Sequence, residues 1–491
     1  MSNLVALPLL IPLLTAVVLM FFQKRLLLQR WISGFGTLAN LAVAVYLVHT
    51  VRQEGIKTLF MGGWVPPFGI VFVADMFAAL LVLTTTVVAS ACLFYAFRTI
   101  GEEKERHYFY PFFQFLLVGV TGSFLTGDIF NLFVCFEVML ISSYALIVLG
   151  GTKRQLRESV KYILVNIISS ALFVAAVAYL YGVAGTLNMA DLSQRVAEAG
   201  QGGMLTVIAM LFLIVFGLKA GLFLYFWLPG SYSAPPAVVT ALFGGLLTKV
   251  GVYAIIRTFT LIFYHDPGIT HTIIGGLAAA TMILGVIGAV AYSDVNRILI
   301  YNIVAGVGFV VFGLAVSNGS ALEGAVFYLV HDMIVKALLF LLGGTLIAVA
   351  GTEKLTEMGG LIKRHPLLGW LFFIAAMALV GVPPLSGFIG KLLIVRGGLE
   401  AGWYWITGIG LASSLLILLS MMKIFMHAFW GEEKPSVQKV PSTGGMLGPS
   451  VFLTVLTVLL GLCAEWVYPY ISAAAEVLAD PQIYIQAVLK E

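Results

Sequence analysis

The sequence predicts an all-α polytopic membrane protein with about fourteen transmembrane helices. Three observations carry that prediction. Of the 491 residues, 60% are hydrophobic and 10% charged, with a mean hydropathy of +1.04. That balance belongs to helical membrane proteins and excludes an ordinary soluble domain. Fourteen apolar segments of about 18 residues or more recur along the chain, each able to cross a hydrocarbon layer as a helix. Finally, Lys and Arg crowd into alternate connections, as the positive-inside rule requires.

The first span covers 3–22; it lacks a basic leader and a small-residue cleavage site, so it does not read as a cleaved signal. Spans 31–50 and 70–97 follow, and between them Val51–Gly69, with GGWVPPFG, reads as an ordered outer turn. Spans 108–126 and 129–150 meet at the turn TGD, where Asp128 reads as a helix cap. After span 162–184, Leu187–Gly203 carries a short amphipathic pattern suited to an interface. Spans 204–228, 237–256, 271–292, 298–316, 321–350, 366–395, 402–430 and 449–471 complete the series, and the tail beyond Ile471 reads as polar and weakly helical. The segments are too long for strands and lack period-two alternation.

Taken by connection, 16 basic residues fall in odd-numbered loops and 6 on the opposite side, among them Arg257; the other 5 lie inside spans. The odd loops are therefore expected in the cytoplasm, with both termini outside. Cys92, Cys135 and Cys463 sit in apolar runs, with neither metal spacing nor a disulfide framework. A nucleotide-binding glycine loop, an iron–sulfur cysteine set and paired haem histidines are all missing from the sequence. Direct ATP drive and resident redox chemistry are thus excluded, and no cofactor is expected. The formal net charge of +4 gives no reason to expect nucleic acid.

The chemistry lies in ionisable residues at bilayer depth, where a charge costs roughly 2.5–3.5 kcal/mol or more. Lys219 lies in IVFGLKAGLFLYFWLP, flanked by Gly217 and Gly221, ahead of Trp227, Pro229, Pro235 and Pro236. Those residues invite a broken helix. Glu137, in the fifth span, is the natural partner of Lys219; the pair is either a structural bridge or a coupled proton carrier. Lys249 has no acidic neighbour in sequence. Its costly charge makes it a candidate relay, the alternative being a lysine bound to carbonyls of the broken span.

His331 and Lys336 share the eleventh span, five residues apart, so they face different sides and can join two sides of a water wire. Asp332 is either a partner or a packing residue. A second break, VGVPPLSGFIGK, ends in Lys391, which either terminates a proton route or sits among headgroups. Lys423 and His427 are accounted for by snorkelling, while no role follows from sequence for Asp75.

At these residues the chain resembles the antiporter-like subunits shared by respiratory complex I, membrane-bound hydrogenases and multisubunit Mrp-type cation/proton antiporters. The carrying stretches are TGDIFNLFVCFEVMLISSYALIVLGG, FGLKAGLFLYFWLPGSYSAPPAVVTALFGGLLTKVGVY, YSDVNRILIYNIVAGVGF, YLVHDMIVKALLFLLGG and VGVPPLSGFIGKLLI. The likeness is greatest to the Mrp-type branch. It implies two inverted five-helix repeats, helices 4–8 and 9–13, with helices 7 and 12 broken. The chain then divides into 1–107, 108–263, 264–430 and 431–491.

The resemblance also implies that Glu137 and Lys219 form the first-half pair, that Lys249 is the central relay, and that the route continues through Lys336 to Lys391. Many relatives carry histidines where this chain has Asp332 and Tyr328, and here His331 is displaced by one position. One type of complex I subunit has glutamate where this chain has Lys391. The implied function is proton translocation within a bacterial plasma-membrane Na+/H+ antiporter, driven by the proton motive force. The implied partners are the other antiporter subunits, protons, Na+ and membrane lipid. A proton-pumping subunit of complex I or of a hydrogenase is the alternative, and an inert scaffold is a third reading.

Overall fold

In a bilayer every backbone N–H and C=O must be satisfied internally, so apolar segments of this length fold as helices. The computed structural model describes residues 3–432, 434, 443 and 445–489. Lys439 and Lys490, counted in the charge asymmetry, lie outside the described residues.

The chain begins with α1 (Leu7–Phe21) and α2 (Leu26–Glu54). The turn expected over Val51–Gly69 is more regular than the sequence implies. Strand β1 (Lys57–Phe60) falls within it and pairs antiparallel with β2 (Val71–Ala74), which takes up the first residues expected of span 70–97; Lys57 aligns with Ala74 and Phe60 with Val71. Next come α3 (Met76–Thr99), α4 (Glu102–Arg106), α5 (Phe109–Leu125), α6 (Ile129–Ile147) and α7 (Lys153–Ala184). Thr152 and Gln155 form a capping box at the start of α7. Asp128 caps α6 by accepting from the Asn131 N–H, as expected. The amphipathic segment is α8 (Met189–Ala199), capped by Asn188.

The first expected break is present. Helix α9 (Met204–Ala220) stops at Gly221, whose φ of +76° is a left-handed conformation that side chains resist. The short α10 (Leu228–Tyr232) follows, then α11 (Ala237–Leu242), a π-helical turn at Phe243–Leu247, and α12 (Thr248–Leu261). The second half runs α13 (Pro267–Ala291), α14 (Val295–Val316) and α15 (Gly319–Ala350). The second break falls at Gly381, φ +90°, between α16 (Pro366–Val380) and α17 (Ser386–Glu400). Helix α18 (Tyr404–Phe429) and α19 (Leu447–Leu462) follow.

All fourteen apolar segments contain helix. Among the described residues, ten helices are long and apolar enough to cross a membrane, or up to eleven counting a pair bent by 81° at Cys463. Three apolar helices, α5, α9 and α16, have 15–17 residues. The tail is a correction: it folds as α20 (Ala464–Ala479) and α21 (Pro481–Leu489), with Ile471, Tyr484, Ile485 and Val488 buried. Its aromatic and aliphatic residues have the helical spacing of a buried stripe, which mean polarity hides.

The interior is built from α3, α12, α14 and α15. Every residue of α12 is buried, and α15 is buried along nearly its whole length. A helix apolar on all sides belongs in such a place. At Gly251 a Cβ would stand 2.5 Å from the Ala220 backbone nitrogen. Helix α12 therefore presses its bare backbone onto the end of α9, beside the first break.

Candidate functional site

The buried ionisable residues gather at the two helix breaks and at the helices packed between them. At the first break, Lys219 occupies the last turn of α9 and is 5% exposed. Its Nζ lies 5.2 Å from the centroid of the Phe136 ring, a favourable site for a cation. The expected direct contact with Glu137 is not formed. Instead Ser170 of α7 stands between them: its hydroxyl donates a hydrogen bond to Glu137 Oε1 and accepts from Lys219 Nζ at 3.4 Å. Two helices that do not touch through their charged ends are joined by a hydroxyl, which both donates and accepts. The serines of span six were the signal, and they read as ordinary small residues in an apolar run.

Lys249, which has no acidic neighbour in sequence, has one in space. Its Nζ lies 2.9 Å from Asp332 Oδ2 of α15 and donates to the Gly244 carbonyl at 2.8 Å. Gly244 belongs to the π-helical turn, where widened winding breaks the regular backbone pattern five residues before Lys249. The other Asp332 oxygen lies 3.5 Å from Lys336 Nζ, one turn along α15. Lys336 donates to the Asn302 carbonyl of α14 at 2.8 Å. Lys249, Asp332 and Lys336 are each 1% exposed. One carboxylate thus serves two lysines, and the residue left open in the sequence reading is the hub of the cluster.

His331 turns away from this trio, as the five-residue spacing to Lys336 demands. Its Nδ1 shares a 2.7 Å hydrogen bond with the Ser386 hydroxyl, at the first residue of α17. Lys391, 7% exposed, is not among headgroups. Its Nζ donates at 2.8 Å to the carbonyl of Val380, the last residue of α16, and at 3.1 Å to the Ser414 hydroxyl. The Phe309 and Tyr328 rings lie 5.3 and 5.7 Å away. Breaking the helix leaves a carbonyl without its intrahelical donor, and the lysine takes that place. Tyr328 OH, His331 Nε2 and Asn302 Oδ1 are buried without a hydrogen-bond partner among the described residues.

Two other charges need reassignment. Arg257 is not a loop residue but lies inside α12, 2% exposed, with Nη2 2.6 Å from Asp75 Oδ2. Its guanidinium is also enclosed by the rings of Phe77, Tyr253 and Tyr484. Asp75 additionally caps α3 through the Ala78 N–H at 2.8 Å. Lys423 reaches the carbonyls of Val290 and Tyr292 at the end of α13, at 3.2 and 2.7 Å. It docks on a helix C-terminus, where snorkelling had been expected.

Residues 126–417, which hold the Glu137, Ser170 and Lys219 group, the Lys249, Asp332 and Lys336 cluster, His331 and Lys391, match the family described as NADH:quinone oxidoreductase/Mrp antiporter, TM. The chain is 56% identical over its full length to the whole of the D-type subunit of the Na(+)/H(+) antiporter of Bacillus subtilis (strain 168). It is 54% identical, with the same full coverage, to the D-type subunit of the Na(+)/H(+) antiporter of Alkalihalophilus pseudofirmus. Its fold is similar to a chain of the Mrp complex from Dietzia sp. DQ12-45-1b, with TM-score 0.92, 32% identity and full coverage of both chains. A chain of respiratory complex I from Thermus thermophilus, at 24% identity and TM-score 0.84, shares the fold, covering 97% of this chain and 99% of that one. The chain is a multi-pass membrane protein that belongs to the NADH:quinone oxidoreductase/Mrp antiporter family, within the branch formed by the D-type subunits of Na+/H+ antiporters.

Proposed function

We propose that this chain is the proton-translocating subunit of a multisubunit Na+/H+ antiporter in a bacterial plasma membrane. It is a secondary transporter and not a catalytic enzyme. The proton motive force drives exchange, and the other antiporter subunits are its partners. The names of its full-length relatives support the cation and the assembly. The observation that carries the proton role is Asp332 held between Lys249 and Lys336, all three buried.

Two amines share one carboxylate there, so the site is electrically balanced when it holds one of the three protons its groups can take: the carboxylate ionised, one amine charged and the other neutral. A proton can then pass between the lysines as the carboxylate changes partner, without leaving an isolated charge in a dry interior. The route begins at Glu137, Ser170 and Lys219, crosses Lys249, Asp332 and Lys336, and ends at His331 and Lys391. Unpartnered Tyr328 OH, His331 Nε2 and Asn302 Oδ1 support water completing the second half. The buried lysines suit protons and repel a bare cation.

The proposal places both termini outside, with fourteen crossings and inverted repeats over helices 4–8 and 9–13. Moving Arg257 into α12 leaves the charge asymmetry at 16 to 5. The test is Lys249→Arg in the assembled complex, assayed for exchange in everted vesicles. Arginine keeps the charge but does not release its proton. Exchange should fall nearly as far as in Lys249→Ala, with assembly unchanged on a native gel. Full exchange in the arginine variant would show that a fixed charge suffices.

A further inference from the structure

A cleft of about 570 Å³ opens where α7, the residues after the first break and the start of α14 meet. Three cations line it: Arg157 and Lys161 from the first turns of α7, and Arg297 from the first turn of α14. One carboxylate faces them. Glu158 is buried and pairs with Arg157 at 2.9 Å and Lys161 at 3.3 Å. Gly230 lies directly against that carboxylate, so the backbone of α10 floors the cleft.

Arg297 forms no ion pair among the described residues, though its charge acts on the nearby Asp294 carboxylate, and its guanidinium stacks over Tyr292 at 4.9 Å. The nearby Asp294 carboxylate is engaged by the Arg297 backbone N–H. Counted over the residues that line it, the cleft keeps a surplus of two positive charges. Its remaining wall is apolar and faces outward: Leu164 is 56% and Phe226 69% exposed.

We propose that this cleft binds an anionic phospholipid, its phosphate on Arg157, Lys161 and Arg297 and an acyl chain against Leu164 and Phe226. Basic pockets between membrane helices select such headgroups on the cytoplasmic side. These three residues lie in the odd-numbered connections, which the charge asymmetry assigns to that side. A free phosphate would satisfy the cations but leave the apolar wall unused. The occupant would bridge the two halves of the molecule beside the first break. Trp227, which also lines the cleft, donates to the carbonyl of Leu218, the residue before Lys219. The inference rests on the chain lying in a bilayer and does not depend on the proton route.

The test uses the complete antiporter complex, purified and stripped of lipid in detergent. Phosphatidylglycerol, phosphatidylcholine and inorganic phosphate are titrated separately, with native mass spectrometry as the readout. Wild type should retain phosphatidylglycerol in preference to phosphatidylcholine. Retention should fall roughly tenfold or more in R157Q/K161Q/R297Q, the loss of three surface cations. R98Q, in a groove on another face, should leave it unchanged. A photoreactive phosphatidylglycerol should label residues 157–165 or 226–230 in wild type and in R98Q, and lose that label in R297Q alone. The single variant keeps the test valid if the triple variant does not assemble. Equal retention of the two lipids, unchanged labelling in R297Q, or displacement by millimolar phosphate would each overturn the proposal. The last would identify a free-anion site.

Discussion

Asp332 Oδ2 lies 2.9 Å from Lys249 Nζ, joining the all-buried helix α12 to α15. No other ion pair among the described residues links α12 to α15. Removing one member of a buried pair strands the other and costs about 3–5 kcal/mol. Asp332→Asn should therefore abolish exchange and also lower the yield of assembled complex. Asp332→Asn/Lys249→Met, which strands only Lys336, should recover yield but not exchange. Recovery of exchange by the double variant, measured in everted vesicles, would show that the contact is purely structural.

The pair Asp75–Arg257 predicts the opposite pattern. It joins α3 to α12, under the Tyr484 ring of the C-terminal helix, and Arg257 holds its proton at any accessible pH. It is expected to act as a clamp, without a relay function. Arg257→Gln should cost about 3–5 kcal/mol and reduce the amount of folded complex. Exchange per assembled complex should remain near wild type. A specific loss of exchange at normal assembly would place Arg257 in the transport route.

The contrast between these two aspartates shows what the sequence can reveal. The helices, both breaks and the depth of Lys219, Lys249, Lys336 and Lys391 were all legible, because apolar length, Gly and Pro report them directly. The partners were not. Asp332 is 83 residues from Lys249, and Asp75 is 182 residues from Arg257. No local period links groups brought together by helix packing. Ser170 was missed for a different reason: a serine in an apolar run is commonly satisfied by its own helix, whereas this one faces two charges. The tail was misjudged because its buried stripe is diluted by polar residues on the other face of each helix.

Topology gives a separate check. With single cysteines in a background lacking Cys92, Cys135 and Cys463, a membrane-impermeant thiol reagent should reach Arg154→Cys only from the cytoplasmic side. It should reach Gly200→Cys only from outside. The first lies at the start of α7 and the second just past α8. The reverse labelling pattern would overturn the positive-inside assignment and, with it, the leaflet assigned to the basic cleft.

The first-half pair makes the most discriminating case, because a hydroxyl stands between its charges. Glu137→Gln and Lys219→Ala should each abolish exchange with the complex intact, and Glu137→Asp should retain part of it. Those outcomes alone do not separate a relay from a charge requirement; Ser170 does. Ser170→Ala leaves both charges in place and removes only the atom that joins them. A hydrogen bond to a charged group is worth about 1.5–3 kcal/mol, so exchange should fall roughly tenfold or more if protons pass through the hydroxyl. Ser170→Thr keeps a hydroxyl on the same helix face and should recover much of the rate. If the pair merely holds α6, α7 and α9 together, Ser170→Ala should weaken assembly and leave the rate per complex unchanged. Exchange in vesicles, normalised to complex on a native gel, separates the two: wild-type exchange in the alanine variant would remove Ser170 from the route.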